Sequence, residues 1–186
     1  MDFETLSQWR RATYCCAMSE RNRNHVLLFC EMQDAESIPF TKLQSKTWAF
    51  LEGELKSLDN LERFFNEFDQ WQNDLFEKDT SNQGSFGAEA AQQACQSLYS
   101  ASYGLLDESA NDCDLVQLSN QQLFAAYADM GEDMAQQSIE LKERHTDFEQ
   151  RVFEILTSGK PKRDVVKAVK ALANSEPESS LGISLD

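Results

Sequence analysis

The sequence predicts an all-α protein, a single-domain bundle of seven to eight mostly antiparallel helices. Three observations carry that expectation. First, apolar or small residues recur at helical spacing: Met134, Ser138, Leu141, His145, Phe148, Val152 and Ile155 follow one another in steps of four and three. Such steps keep one stripe of a helix facing one way. Second, only three prolines and seven glycines punctuate 186 residues, few enough for long helices. Third, no sustained run of alternating β-branched residues occurs, and no Asn-Gly or Asp-Gly pair marks a hairpin. A hydrophobic fraction of 41% at this length suits one sizeable core.

The first helix is expected over residues 3–19, with Leu6, Trp9, Thr13 and Cys16 on one face. Residues 20–24 (Glu-Arg-Asn-Arg-Asn) form a polar break, and a largely buried second helix comes next at about 24–33. Ser37-Ile38-Pro39 is a helix-start signal, a capping residue with proline in the first turn. It predicts a third helix from Pro39 to about Lys56, burying Leu43, Trp48, Phe50 or Leu51, and Leu55. Asp59 can cap a fourth, which carries Leu61, Phe64, Phe65, Phe68, Trp71 and Leu75. Residues 77–87, polar with two glycines, read as a loop. The fifth helix, about 86–107, is rich in Ala, Ser and Gly, so neighbouring backbones can approach it closely. It is therefore the candidate central helix. Asn111-Asp112 forms a turn and cap before a sixth helix at about 113–130, which Gly131 interrupts. The long stripe occupies about 132–157, and Gly159 suits the position just past its end. A short basic helix at 162–173 completes a single domain over 1–173. Residues 174–186 read as a mobile tail.

The formal charge is −15 and unevenly placed: residues 51–150 hold five basic and twenty-one acidic side chains. Phosphate backbones repel such a section, which argues against nucleic-acid binding. The same charge can steer a basic protein partner. The longest apolar run, Val26-Leu27-Leu28-Phe29-Cys30, falls far short of the roughly 20 residues a membrane span needs, and no secretory leader pattern opens the chain. Five cysteines without a Cys-x-x-Cys pair suggest reduced, mostly buried thiols in a cytoplasm.

The chain also resembles a known bacterial family. The resemblance rests on Leu6-x-x-Trp9-x-x-x-Thr13, then Met18-Ser19-Glu20-Arg21, then Val26-x-x-Phe29-Cys30. Ala90-x-x-x-Ala94-Cys95-x-x-Leu98 and Ser180-Leu181-Gly182-Ile183 add to it. These segments are similar to the YjaG-like proteins, domain of unknown function 416. Arg23-Asn24-His25 departs from the family's Pro-Asn-Tyr-like turn. The resemblance implies an all-helical cytoplasmic protein and carries no activity with it.

Sites for chemistry are sparse. A di-metal carboxylate bundle needs Glu-x-x-His on two helices. Asn22 precedes His25 by three residues and Lys142 precedes His145, so neither histidine fits. Glu149 lies one turn after His145, yet one His–Glu pair gives two of the four ligands zinc usually takes. Cys30 lies five residues from His25, off its face, which disfavours a thiolate nucleophile. No metal and no cofactor are expected. Glu20-Arg21 at a helix junction reads as a capping and ion-pair device or as an exposed binding feature. Phe64 and Phe68 with Trp71 read mainly as core, but Phe64 and Phe65 are adjacent and widen the apolar arc by about 100°. Part of that arc, with Glu20, Arg21, His145 and Glu149, is the expected interaction surface.

The sequence thus favours a non-enzymatic interaction module that forms a homodimer. The alternative is an enzyme or small-ligand binder with a pocket among the aromatic helices.

Overall fold

A computed structural model describes residues 1–77 and 85–185. The described residues form eight α-helices and no strand: α1 (Gln8–Arg21), α2 (Arg23–Met32), α3 (Ile38–Leu51), α4 (Leu58–Glu77), α5 (Phe86–Leu106), α6 (Cys113–Ala128), α7 (Glu132–Thr157) and α8 (Lys162–Ala173). None of them is long and apolar enough to cross a membrane.

The centre is α5, packed most heavily against α1 and also touching α2, α3, α4 and α6. Its buried faces carry Ala88, Ala91, Ala94, Ser97, Ala101 and Ser102. Small side chains shorten the distance between helix axes, and that lets one helix meet five neighbours. Thr47 of α3 reaches the Ser102 hydroxyl at 2.9 Å across one such close approach. Ser85 caps α5 by accepting the Ala88 N–H. Most of the loop expected at 77–87 lies outside the described residues.

Several boundaries differ from expectation for local reasons. The first helix is split. Residues Phe3–Thr5 make a separate 3-10 turn capped by Asp2, and Leu6 is extended before α1 starts. Phe3 is buried there, its ring 4.6 Å from that of Tyr14. The third helix stops at Leu51, short of Lys56, because Gly53 turns the chain at φ +78°. The fourth begins at Leu58, and it is Ser57, rather than Asp59, whose hydroxyl accepts a first-turn N–H, that of Asn60. Gly159 takes up the left-handed conformation (φ +71°) just past α7, as its position predicted.

The stripe of α7 faces inward. Ser138, His145, Phe148 and Val152 are buried, and Leu141 and Ile155 are half-buried. The aromatic arc of α4 is likewise absorbed. Phe64, Phe65 and Phe68 are buried because α4 sits against both α3 and α5. Phe68 packs near Phe40 and Trp71, while Phe65 meets Tyr99 and Tyr103.

Residues 174–185, expected to be a mobile tail, fold back onto the bundle as a strap. The strap closes on itself through Ser179 N–H to the Ile183 carbonyl (2.9 Å) and Gly182 N–H to the Ser179 carbonyl (3.0 Å). Gly182 turns the chain at φ +73°, with Leu141 against it. Ser179, Ser180 and Leu181 are buried. Composition made this stretch look solvated, yet Glu176, Glu178, Ser179 and the Ser180 N–H all have partners on the bundle.

Candidate functional site

A single residue, Asn22, separates α1 from α2. This elbow turns Arg21, Asn22, Asn24 and His25 toward α5, α6, α7 and the strap. Asn22 is fully buried and its amide is fully used. Nδ2–H groups donate to Gln93 Oε1 (3.0 Å) and Asn120 Oδ1 (3.1 Å), and Oδ1 accepts the Ser180 N–H (3.2 Å). Asn24 donates to the Pro177 and Ile183 carbonyls.

Ser179 fixes the state of His25. Its Oγ accepts the N–H groups of Leu181 (3.3 Å) and Ile183 (3.1 Å). Its own proton is left for His25 Nε2 at 2.8 Å. His25 is therefore the tautomer with its proton on Nδ1. Burial lowers its pKa to about 4, opposed by the nearby Ala90 carbonyl.

One shell further in, His145 Nε2 lies 3.7 Å from Glu149 Oε1. Burial lowers the His145 pKa to about 3, helped by the charges of Arg21 and His25, so the ring is neutral at physiological pH. Neither ring nitrogen has a hydrogen-bond partner among the described residues. Glu149 accepts from the Tyr14 hydroxyl at 2.6 Å and from Gln117 at 3.5 Å. Burial nevertheless holds its carboxyl above the usual range. Among the described residues no three His, Cys, Asp or Glu side chains gather as a metal cradle. A neutral imidazole, a carboxyl and a phenol do converge here, but all three are sealed from solvent.

Arg21 joins this cluster to the surface. Its guanidinium stacks on Phe148 at 4.6 Å and donates to Glu176 of the strap at 3.0 Å. Arg144 grips the same strap through Glu176 (3.3 Å) and Glu178 (3.2 Å).

The seven residues expected on an interaction surface therefore fall in two groups. Arg21, His145 and Glu149 meet beneath the strap. Phe64, Phe68 and Trp71 belong to the α3–α4 side, where the Trp71 indole N–H donates to the Glu36 carbonyl. Glu20 accepts the Trp48 indole N–H at 2.8 Å. Arg21, Phe64, Phe68, His145 and Glu149 are buried, and Glu20 and Trp71 are partly buried. Sequence reasoning missed Asn22, Glu176 and Ser179. The only sequence sign of them was the Ser180–Ile183 ending, whose neighbour Ser179 makes the decisive contacts. All five cysteines are buried free thiols, with Cys15 and Cys113 sulfurs 3.7 Å apart.

Helix α6 holds a single charged residue, Asp114, among its sixteen, on a chain of net charge −15. Its outer crest exposes Leu115 and Leu118, each about half accessible. Alongside runs a groove of about 660 Å³ between α6 and α7, with Phe124, Ala125 and Ala128 on one wall and Ile139 and Thr146 on the other.

Comparison with known proteins agrees with this architecture. The structure is similar to the crystal structure of a DUF416 family protein from Shewanella baltica, at 16% identity and a TM-score of 0.78, covering 98% of this chain and 96% of that one. No curated protein matches the chain. The family model described as "Protein of unknown function (DUF416)" matches residues 2–184, and the chain belongs to that family.

Proposed function

We propose that the protein is a non-enzymatic interaction module that pairs with a second copy of itself through the outer face of α6. The observation that carries this reading is the outer face of that helix, which exposes Leu115 and Leu118 with Asp114 as its one charge, on an otherwise strongly acidic molecule. Two-fold pairing lays the Leu118 ridge of each copy into the groove of the other, where Ala125 and Ala128 leave room. The rim of the groove carries both signs, Lys142 beside Glu143 and Asp147. Facing rims can thus pair rather than repel. The sealed position of His145, Glu149 and Tyr14 supports a non-enzymatic role, and five buried thiols fit a reducing compartment such as the cytoplasm. The exposed carboxylates of α7, Glu132, Asp133, Glu140 and Glu143 among them, offer a basic protein a separate surface.

Repulsion between two chains of −15 is screened beyond about 8 Å at physiological salt, whereas apolar contact acts at short range. Self-association therefore strengthens as salt rises. Sedimentation equilibrium at micromolar concentration, in low and high salt, measures this. The dimer fraction is expected to grow with salt, and Leu118→Arg to return the protein to monomer. A single 21.2 kDa species for the unaltered protein under both conditions rejects the reading.

A further inference from the structure

A pocket of about 290 Å³ opens at the α1–α2 elbow, walled by Glu20, Arg21, Arg23 and Asn24 on one side and by Glu176 and Pro177 of the strap on the other. The Arg21 side chain is only 3% exposed, and a guanidinium so deeply withdrawn from water requires an anion. The one it holds is Glu176, a side chain 43% exposed. The buried Arg21 Nε–H has no hydrogen-bond partner among the described residues. Arg23, the first residue of α2, is exposed in the same pocket and has no ion-pair partner among the described residues. The other groups on the wall are engaged. Glu20 accepts from Trp48, and the Asn24 amide is bound to strap carbonyls. What remains on offer is the whole fork of Arg23, beside an Arg21 guanidinium whose only ion-pair partner among the described residues is the half-exposed Glu176.

We propose that this elbow pocket binds a free oxyanion, the phosphate or carboxylate group of a small metabolite, between Arg21 and Arg23 and in competition with Glu176. The strap thus supplies its own carboxylate as a built-in competitor. The proposal is independent of self-association, since it concerns the α1–α2 elbow and the strap instead of α6.

Glu176→Gln removes the competitor and keeps the side-chain shape. Thermal stability of the unaltered protein, of Glu176→Gln and of Glu176→Gln/Arg23→Gln is measured in orthophosphate and in succinate, each against chloride of equal ionic strength. A charge-assisted hydrogen bond corresponds to about a tenfold change in affinity. Glu176→Gln should therefore be stabilised at concentrations about tenfold lower than the unaltered protein needs. Adding Arg23→Gln should remove that gain. Response to phosphate alone assigns a phosphate ester, response to succinate alone assigns a carboxylate, and response to both assigns an unselective oxyanion site. If neither salt stabilises Glu176→Gln beyond chloride, or if Arg23→Gln leaves the response intact, the site is refuted. Arg23 is exposed, so its replacement tests the pocket without threatening the core.

Discussion

At the scale of single residues, Asn22 fills a role that requires a primary amide. It needs two donors and one acceptor in a plane, toward Gln93, Asn120 and the Ser180 N–H. Asn22→Ala strands three buried polar groups, each worth roughly 1–3 kcal/mol when left unpaired. A loss of about 2–4 kcal/mol is expected in urea denaturation, allowing for some relaxation. A change below about 0.5 kcal/mol would show that the elbow re-satisfies those groups unaided. This network was not legible in the sequence, and the reason is its range. Asn22 finds partners 71, 98 and 158 positions away, so no local spacing betrays it. The same applies to Ser179, whose value lies in meeting His25 from the far end of the chain.

At the scale of elements, the helices were legible because each satisfies its backbone internally and buries one stripe, and both requirements write themselves into nearby residues. The α7 stripe from Met134 to Ile155 and the closing Gly159 are the clearest cases. What the stripe faced was not legible, since a seam against another copy and a seam against the core share one spacing. Burial decides it: Phe148 is 3% exposed and sits under Arg21, while Leu141 is only half-buried beside the strap. Phe148→Ala is therefore expected to cost about 3–5 kcal/mol, and Leu141→Ala about 1–2 kcal/mol, because less area leaves water at the second site. Equal losses would mean that the strap shields Leu141 more fully than its accessibility indicates. The split of the first helix was hidden for another reason. By spacing, Phe3 and Tyr14 share one face of a continuous helix, but the contact between their rings forms across the extended Leu6 instead.

At the scale of the molecule, two buried neutral histidines set the response to acid. Their folded values, about 4 and 3, lie below the ordinary 6.5. The unfolded chain therefore binds protons first as pH falls, and stability held above pH 6.5 drains away toward pH 4. Each histidine contributes up to about 1.4 kcal/mol per pH unit. Arg21 faces His145 and deepens the effect. Glu149 acts the other way, because its raised pKa means that protonation favours the fold. Glu176, lowered by Arg21, adds to the loss below its ordinary range. Two histidines outweigh one glutamate between pH 6 and 5, so the urea midpoint should drop steadily over that interval. A flat profile would mean that the imidazoles find proton acceptors on charging. The place of α5, pressed by five other helices, has a consequence in time. Exchange of its amide hydrogens with solvent has no private route, because exposing α5 means parting it from all five at once. Its slowest amides are therefore a clock for global unfolding. The strap, which lies outside every helix, is expected to exchange faster, and equal rates would mean that it opens only together with the core.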